Sequence, residues 1–268
     1  MYDTFQDKLR EDNMSEHTIT AYLYAVQDYF KKHTVLNKNH LLLYKAELIE
    51  HFKPKTVNLR IQALNKYLTF VGKEKLRLKS VRIQQRSYLE HVISQADYLY
   101  LIARLREEPS EQLWYFVVRC LCATGARVSE LVQFKAEHVA IGYFDLYTKC
   151  GKVRRLFLPQ KLRDELQVWL TEQGIASGYF LLDAYGKRIT PRAIRHKLKS
   201  FAHKYGIDPH VMYPHSFRHR YAKNFLEAFN DLSLLADLMG HESLETTRIY
   251  LRRTSAEQQV IVDEVITW

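Results

Sequence analysis

The 268-residue sequence has no run of eighteen apolar residues, so a membrane-spanning helix is not expected. Its first residues, MYDTFQDKLREDN, are polar and mixed in charge, with no apolar signal segment, which points to a cytoplasmic protein. Glycine (9) and proline (6) are scarce, which excludes a fibrous chain or a mainly disordered one. Cysteine is limited to Cys120, Cys122 and Cys150, an odd number without metal-like spacing. They read as two buried thiols and one loop thiol in a reducing compartment. What remains is ordinary for a globular protein: 47% hydrophobic and 26% charged residues, enough for a sizeable core.

Two features stand out. The chain carries 40 Lys and Arg against 30 Asp and Glu, a net charge of +10. It also has 18 tyrosines. Basic excess suits a phosphate-rich partner, although many basic proteins bind no nucleic acid. Most of the aromatics are expected on the core faces of amphipathic helices.

The first clear helix begins after Ser15, an N-cap, with Ile19, Tyr22, Leu23, Val26, Tyr29 and Phe30 along one face. A second covers Leu41 to Phe52. A third follows Pro54, with Val57, Ile61, Leu64, Leu68 and Val71 inward and Gly72 at its end. These make an all-α N-terminal module over residues 1–75. Lys31, Lys32, Lys53, Lys55, Arg60 and Lys66 lie on its other faces, either solvated or set against DNA. Residues 76–93 show no clear period, and basic side chains recur from Lys73 through Lys75, Arg77, Lys79 and Arg82 to Arg86. That stretch is expected to be a basic linker.

A second module, 94–268, opens at Ser94, with Asp97 completing a capping-box variant. A helix from Ser110 to Cys122 follows. Two short strands, Phe144–Lys149 and Val153–Leu158, flank Cys150-Gly151-Lys152 as a hairpin. Helices are then predicted over 160–172, after Thr190-Pro191, and over 216–229, 231–239 and 243–251, with a helical tail at 255–268. The fold class is mainly α (α+β), with one small antiparallel sheet in the second module.

Three stretches carry chemistry. In Ala123-Thr-Gly-Ala-Arg-Val-Ser-Glu-Leu131, a helix ends at Gly125 and Arg127 starts the next, near backbone N–H groups that favour an anion. In Pro214-His-Ser-Phe-Arg-His219, His215 and Arg218 share one side of a first helical turn. In Leu238–Arg253, His241 follows Gly240 in a turn, Ser243 caps a helix, and Tyr250 lies two turns on. Read singly, each has a bland alternative: a surface ion pair, a chance HxxR, a core tyrosine. His215 and His219 lack further ligands at metal spacing.

Taken together and in order, TGxRxSEL, HxxR and GHxSxxTTxxY resemble the tyrosine recombinase (phage integrase) family over residues 94–252. The N-terminal module is similar to that family's core-binding domain by pattern. The resemblance implies a site-specific DNA recombinase that cuts and rejoins strands through a covalent 3′-phosphotyrosine, without metal, ATP or any other cofactor. It assigns Arg127, His215, Arg218 and His241 to phosphate binding and acid–base work, and Tyr250 to nucleophilic attack. It places a catalytic lysine in the hairpin, where Lys149 matches best and Lys152 is the alternative. Glu130 matches an acidic residue that orients its neighbours. It further implies partners: duplex DNA with short inverted repeats, clamped between the two modules, a tetramer of the chain on that DNA, and in some systems a directionality factor. The DNA element could be integrated, excised, inverted or resolved.

The chemistry agrees with these assignments. Two guanidiniums suit the equatorial oxygens of a phosphoryl transition state. A phenol of reference pKa near 10 needs a base or a cationic site, and the leaving 5′-oxygen needs a proton donor. Rival readings are a type IB topoisomerase, which shares the set, and a DNA-binding regulator without catalysis. A metal-dependent nuclease lacks a carboxylate cluster.

Overall fold

The computed structural model describes residues 2–83, 89–147, 153–241, 243–252 and 255–266. The chain divides into two compact units, Met1–Gln85 and Arg86–Trp268.

In the first unit, α1 (Tyr2–Glu11) precedes α2 (Glu16–Lys32), α3 (Lys38–His51) and α4 (Pro54–Phe70). The sequence pattern gave no hint of α1. It is held by two side chains one turn apart, Phe5 and Leu9, both fully buried. Phe5 packs edge-on against Tyr67 at 5.1 Å. Ser15 caps α2 as expected, its Oγ accepting from the Thr18 N–H. Arg60, expected on an outer face, is turned inward. Its guanidinium bonds Asp28 at 2.6 Å, and Asp28 also accepts from the buried Tyr44 hydroxyl.

The first part of the expected linker belongs to this unit. Leu78 is buried, and two asparagines of α4, two turns apart, grip the extended chain. Asn65 bonds both the N–H and C=O of Leu78, and Asn58 does the same for Val81. Side-chain amides thus replace the ladder partners an extended segment otherwise needs.

The second unit contains α5 (Gln95–Glu107), α6 (Gln112–Thr124), α7 (Val128–Leu131) and α8 (Ala136–Ile141). Strands β1 (Tyr143–Tyr147) and β2 (Val153–Phe157) follow. Then come α9 (Gln160–Glu172), α10 (Pro191–Tyr205), α11 (Pro214–Ala228), α12 (Leu232–Met239) and α13 (Leu244–Thr247). A 3-10 turn, Arg248–Leu251, leads to α14 (Ser255–Val265). The second unit is mainly helical with one small antiparallel sheet, running Tyr143↔Phe157 to Tyr147↔Val153.

α6 is the central element, apolar on nearly every side, and α5, α9 and α11 pack on it. Cys120 and Cys122 are buried in it, and burial pushes both thiols up to about 12, so they stay protonated. Cys150 lies outside the described residues.

α11 begins two residues earlier than the pattern predicted. Pro214 occupies its first position, and Ser216 is not a cap. The Ser216 hydroxyl is instead buried and accepts from the Ile93 N–H at 2.7 Å, while Arg220 Nε donates to the Ile93 carbonyl. The predicted helix 243–251 is also broken, with Tyr250 on the 3-10 turn. Among the described residues, no helix is long and apolar enough to cross a membrane.

Candidate active site

The site is built where three chain turns meet: the α6–α7 turn, the first turns of α11, and the turn from α12 to α13. Two glycines make the close approach feasible. Gly125 ends α6 at φ +61°, and a Cβ there would lie 2.5 Å from the Tyr221 ring. Gly240 ends α12 at φ +61°, and a Cβ there would lie 2.3 Å from Arg154 Cδ.

Arg218, buried on α11, ties the three turns together. Its Nη1 donates to the Gly125 carbonyl and its Nη2 to the Met239 carbonyl at 2.7 Å. The same Nη2 lies 3.1 Å from His241 Nε2. A guanidinium only donates, so His241 Nε2 accepts. The proton of the neutral ring is then on Nδ1, which donates to Thr247 Oγ1 at 2.8 Å. Burial, then the charges of Arg218, Arg127 and Arg154, push the His241 pKa down to about 4. Burial and the neighbouring Arg127 and Arg154 lower Arg218 to about 10, still protonated at neutral pH.

Arg127 is the more open cation. Its Nη1 pairs with Glu130 Oε1 at 2.8 Å, and its backbone N–H donates to Glu130 Oε2. Its Nη2 reaches the Gly240 carbonyl at 3.4 Å. Glu130 is shared, because Arg154 Nη1 lies 2.9 Å from both of its oxygens. Burial raises the Glu130 pKa, and Arg154 and Arg127 outweigh it, so the carboxylate stays ionised.

Tyr250 is buried beside these groups. Its ring lies nearly parallel to that of His241, with centroids 6.2 Å apart, and 5.4 Å from His219. Burial raises the phenol pKa, while Arg218, by charge and hydrogen bonding, and Arg127 oppose the rise. His215 is solvent-exposed at the rim, 6.4 Å ring to ring from His219. Desolvation of its inner side, then Arg218 and Arg127, lower its pKa, so it is neutral near pH 7.

Sequence reasoning pointed to Arg127, His215, Arg218, His241 and Tyr250, and the structure brings all five into this one region. Lys149 and Lys152 lie outside the described residues. Reasoning from sequence missed Arg154, Thr247 and His219. Arg154 was legible in principle: in β2 the inward positions alternate, and Arg154 shares a face with Leu156. Thr247 left no signal beyond its place in a turn-to-helix motif. His219 entered only as a possible metal partner of His215, a reading set aside for want of further ligands at metal spacing. It is instead a neutral imidazole, pushed by burial and by His215, Arg218 and His241 to about 4.

Three guanidiniums against one carboxylate leave a net positive cluster beside a buried phenol, suited to an anion with several oxygens. The phage integrase family model matches residues 91–257, which contain all of these groups. The chain belongs to the phage integrase family. It is therefore an enzyme of the tyrosine recombinase class.

Among curated relatives of this family member, the tyrosine recombinase XerA of Thermococcus kodakarensis is 28% identical over 94% of this chain and 90% of its own length. Solved structures agree in fold. The Tn1549 transposon integrase in complex with transposon right end DNA matches with a TM-score of 0.72 at 13% identity, covering 99% of both chains. A lambda integrase tetramer bound to a Holliday junction matches with the same TM-score and identity over 94% of this chain and 78% of that one.

Proposed function

We propose that the chain recombines duplex DNA at specific sites by transient attachment to Tyr250. The Tyr250 oxygen attacks the scissile phosphorus, a new P–O bond joins the 3′-phosphate to the enzyme, and the bond to the 5′-oxygen breaks. The phenol proton passes to a base, the role we assign to His215, which is neutral near pH 7. The 5′-oxygen takes a proton from the hairpin lysine, Lys149 or alternatively Lys152. Attack by a 5′-hydroxyl of another strand reverses the steps and reseals the backbone. Bond energy is conserved in the phosphotyrosine, so the cycle calls for no ATP or metal.

Arg127 and Arg218 hold the non-bridging oxygens and stabilise the charge that gathers on them in the transition state. His241 contributes a third hydrogen bond. Its Nε2 accepts from Arg218, so it can donate to a phosphate only after the proton moves to Nε2. The Thr247 hydroxyl can accept or donate, and so accommodates either tautomer.

The observation that carries this reading is the convergence of Arg127, Arg218 and His241 on the buried Tyr250. Exchange between two duplexes cut on both strands calls for four such sites. The partners are accordingly double-stranded DNA with short inverted repeats and three further copies of the chain, with a directionality factor in systems that run one way.

The test uses nicked suicide duplexes drawn from DNA flanking the gene, resolved on a denaturing gel. Wild-type protein forms a covalent adduct, and Tyr250→Phe forms none while its duplex affinity stays within about twofold, since one oxygen is lost. An adduct that persists in Tyr250→Phe overturns the assignment.

A further inference from the structure

We propose that Arg154 is a positioning residue that keeps Arg127 available to the scissile phosphate by taking up Glu130, and that it ties strand β2 to the turn carrying His241. The proposal rests on the recombinase reading above.

Arg154 is itself withdrawn from any substrate, with only 7% of its side chain exposed. Its Nη1 meets both Glu130 oxygens at 2.9 Å, and its Nε donates to the Leu238 carbonyl at 2.9 Å. Gly240 leaves the space its Cδ fills, since a Cβ there would stand 2.3 Å away. One side chain from the hairpin thus touches both the α7 carboxylate and the end of α12.

Consider the site without it. Glu130, 13% exposed, would face Arg127 alone. The pair would be neutral, and the guanidinium would be drawn onto the carboxylate rather than offered to a second anion. With Arg154 present the trio carries a net positive charge, and Glu130 orients Arg127 without cancelling it. Lysine cannot substitute, because one ammonium lacks the fork that spans a carboxylate and a separate carbonyl.

Stability alone does not explain the arrangement. Arg154 Nη2 is buried with no hydrogen-bond partner among the described residues. Buried ion pairs of this kind are often replaceable by apolar side chains at little cost. Arg154 also depresses the pKa values of Arg218 and His241, which places its charge within reach of the whole cluster.

The experiment compares Arg154→Met, Arg154→Lys and the double variant Glu130→Gln/Arg154→Met in the full chain. It reads single-turnover adduct formation, duplex affinity, thermal midpoint and the Arg127 Nε–H NMR resonance. Arg154→Met should lower cleavage roughly 100-fold, as for a displaced transition-state contact, with duplex affinity almost unchanged. Arg154→Lys should not restore it. The double variant should fold even if Arg154→Met does not, and should recover part of the cleavage. In an Arg127→Lys background, Arg154→Met should change cleavage by less than about threefold, because both changes act on one group. A full multiplicative loss in that background makes Arg154 a structural residue only and overturns the proposal. If wild-type protein forms no adduct on any duplex, the recombinase reading falls. The positioning link is then judged on the resonance, and an unshifted Arg127 Nε–H in Arg154→Met or in the double variant overturns it.

Discussion

Arg127 and Arg218 have the same proposed task but very different surroundings, so removing each should produce different damage. In Arg218→Ala, the buried carbonyls of Gly125 and Met239 lose their side-chain donor, and His241 Nε2 loses its partner. Each buried group left unsatisfied costs about 1–3 kcal/mol. Removal of a desolvated charge offsets part of this, leaving roughly 2–5 kcal/mol. For a unit of this size that corresponds to a fall in thermal midpoint of roughly 4–20 °C. Arg127 is 39% exposed, and Glu130 keeps Arg154 when Arg127 is gone. Arg127→Ala should therefore cost about 1 kcal/mol or less. Both variants should lose cleavage by about 100-fold or more. Calorimetry gives the midpoints, and adduct formation on a nicked duplex gives the activity, measured well below the lower midpoint. Equal destabilisation by the two substitutions would refute the assignment of Arg218 as the tie between the three turns. Loss of duplex binding in proportion to cleavage would mean that both arginines are only backbone contacts.

The imidazoles make the second unit sensitive to acid. His219 and His241 have folded-state pKa values near 4, and His215 is also lowered, against about 6.5 in an unfolded chain. The unfolded state then binds more protons between those values, so stability is lost as pH falls from about 6.5 towards 4. His219 alone should cost up to about 2 kcal/mol at pH 5, seen as a lower urea midpoint than at pH 7.5, and His219→Phe should flatten the slope. Equal wild-type midpoints at the two pH values would contradict this. For the hairpin, Lys149→Ala should be rescued by a 5′-phosphorothiolate duplex, whose sulfur leaves without a proton; rescue of Lys152→Ala alone would move the role to Lys152. For the tail, α14 lies on its own domain, where Glu257 pairs with Lys223. There Val260 and Ile261 line a cavity of about 530 Å³ with Leu226 and Tyr250. If the tail instead docks on a neighbouring protomer when the chain assembles on DNA, truncation after Thr254 leaves half-site binding intact and abolishes cooperative binding to a paired site in gel-shift titrations. Unchanged cooperativity would leave the tail as part of the monomer's own core.

Much of this molecule was legible in its local sequence patterns. Periodic apolar residues and local caps marked α2, α4, α5, α9 and α10, because those signals lie within a few residues of one another. Ser15 and Ser94 cap where their side chains can reach the next turn, whatever the rest of the chain does. The spacing of Arg127, His215, Arg218, His241 and Tyr250 was readable because each sits in a short motif of fixed local geometry. Pairings between distant segments were not readable. α1 depends on Phe5 meeting Tyr67, and the expected linker is drawn into the first unit by Asn58 and Asn65. Nothing near residues 76–81 announces those partners. Ser216 looked like a cap, since a serine before a helix usually is one, yet its hydroxyl is taken by Ile93 far earlier in the chain.

Local sequence pattern was enough to name the side chains available to the chemistry and roughly where each helix turns. Their protonation and hydrogen-bonding states come from the packing of distant segments. Burial beside three guanidiniums makes His241 a neutral acceptor, leaves Arg218 to bind backbone and Arg127 to face outward, and sets Arg154 to share Glu130. Those outcomes depend on desolvation and on charges separated by more than a hundred residues in sequence, which a local pattern cannot encode.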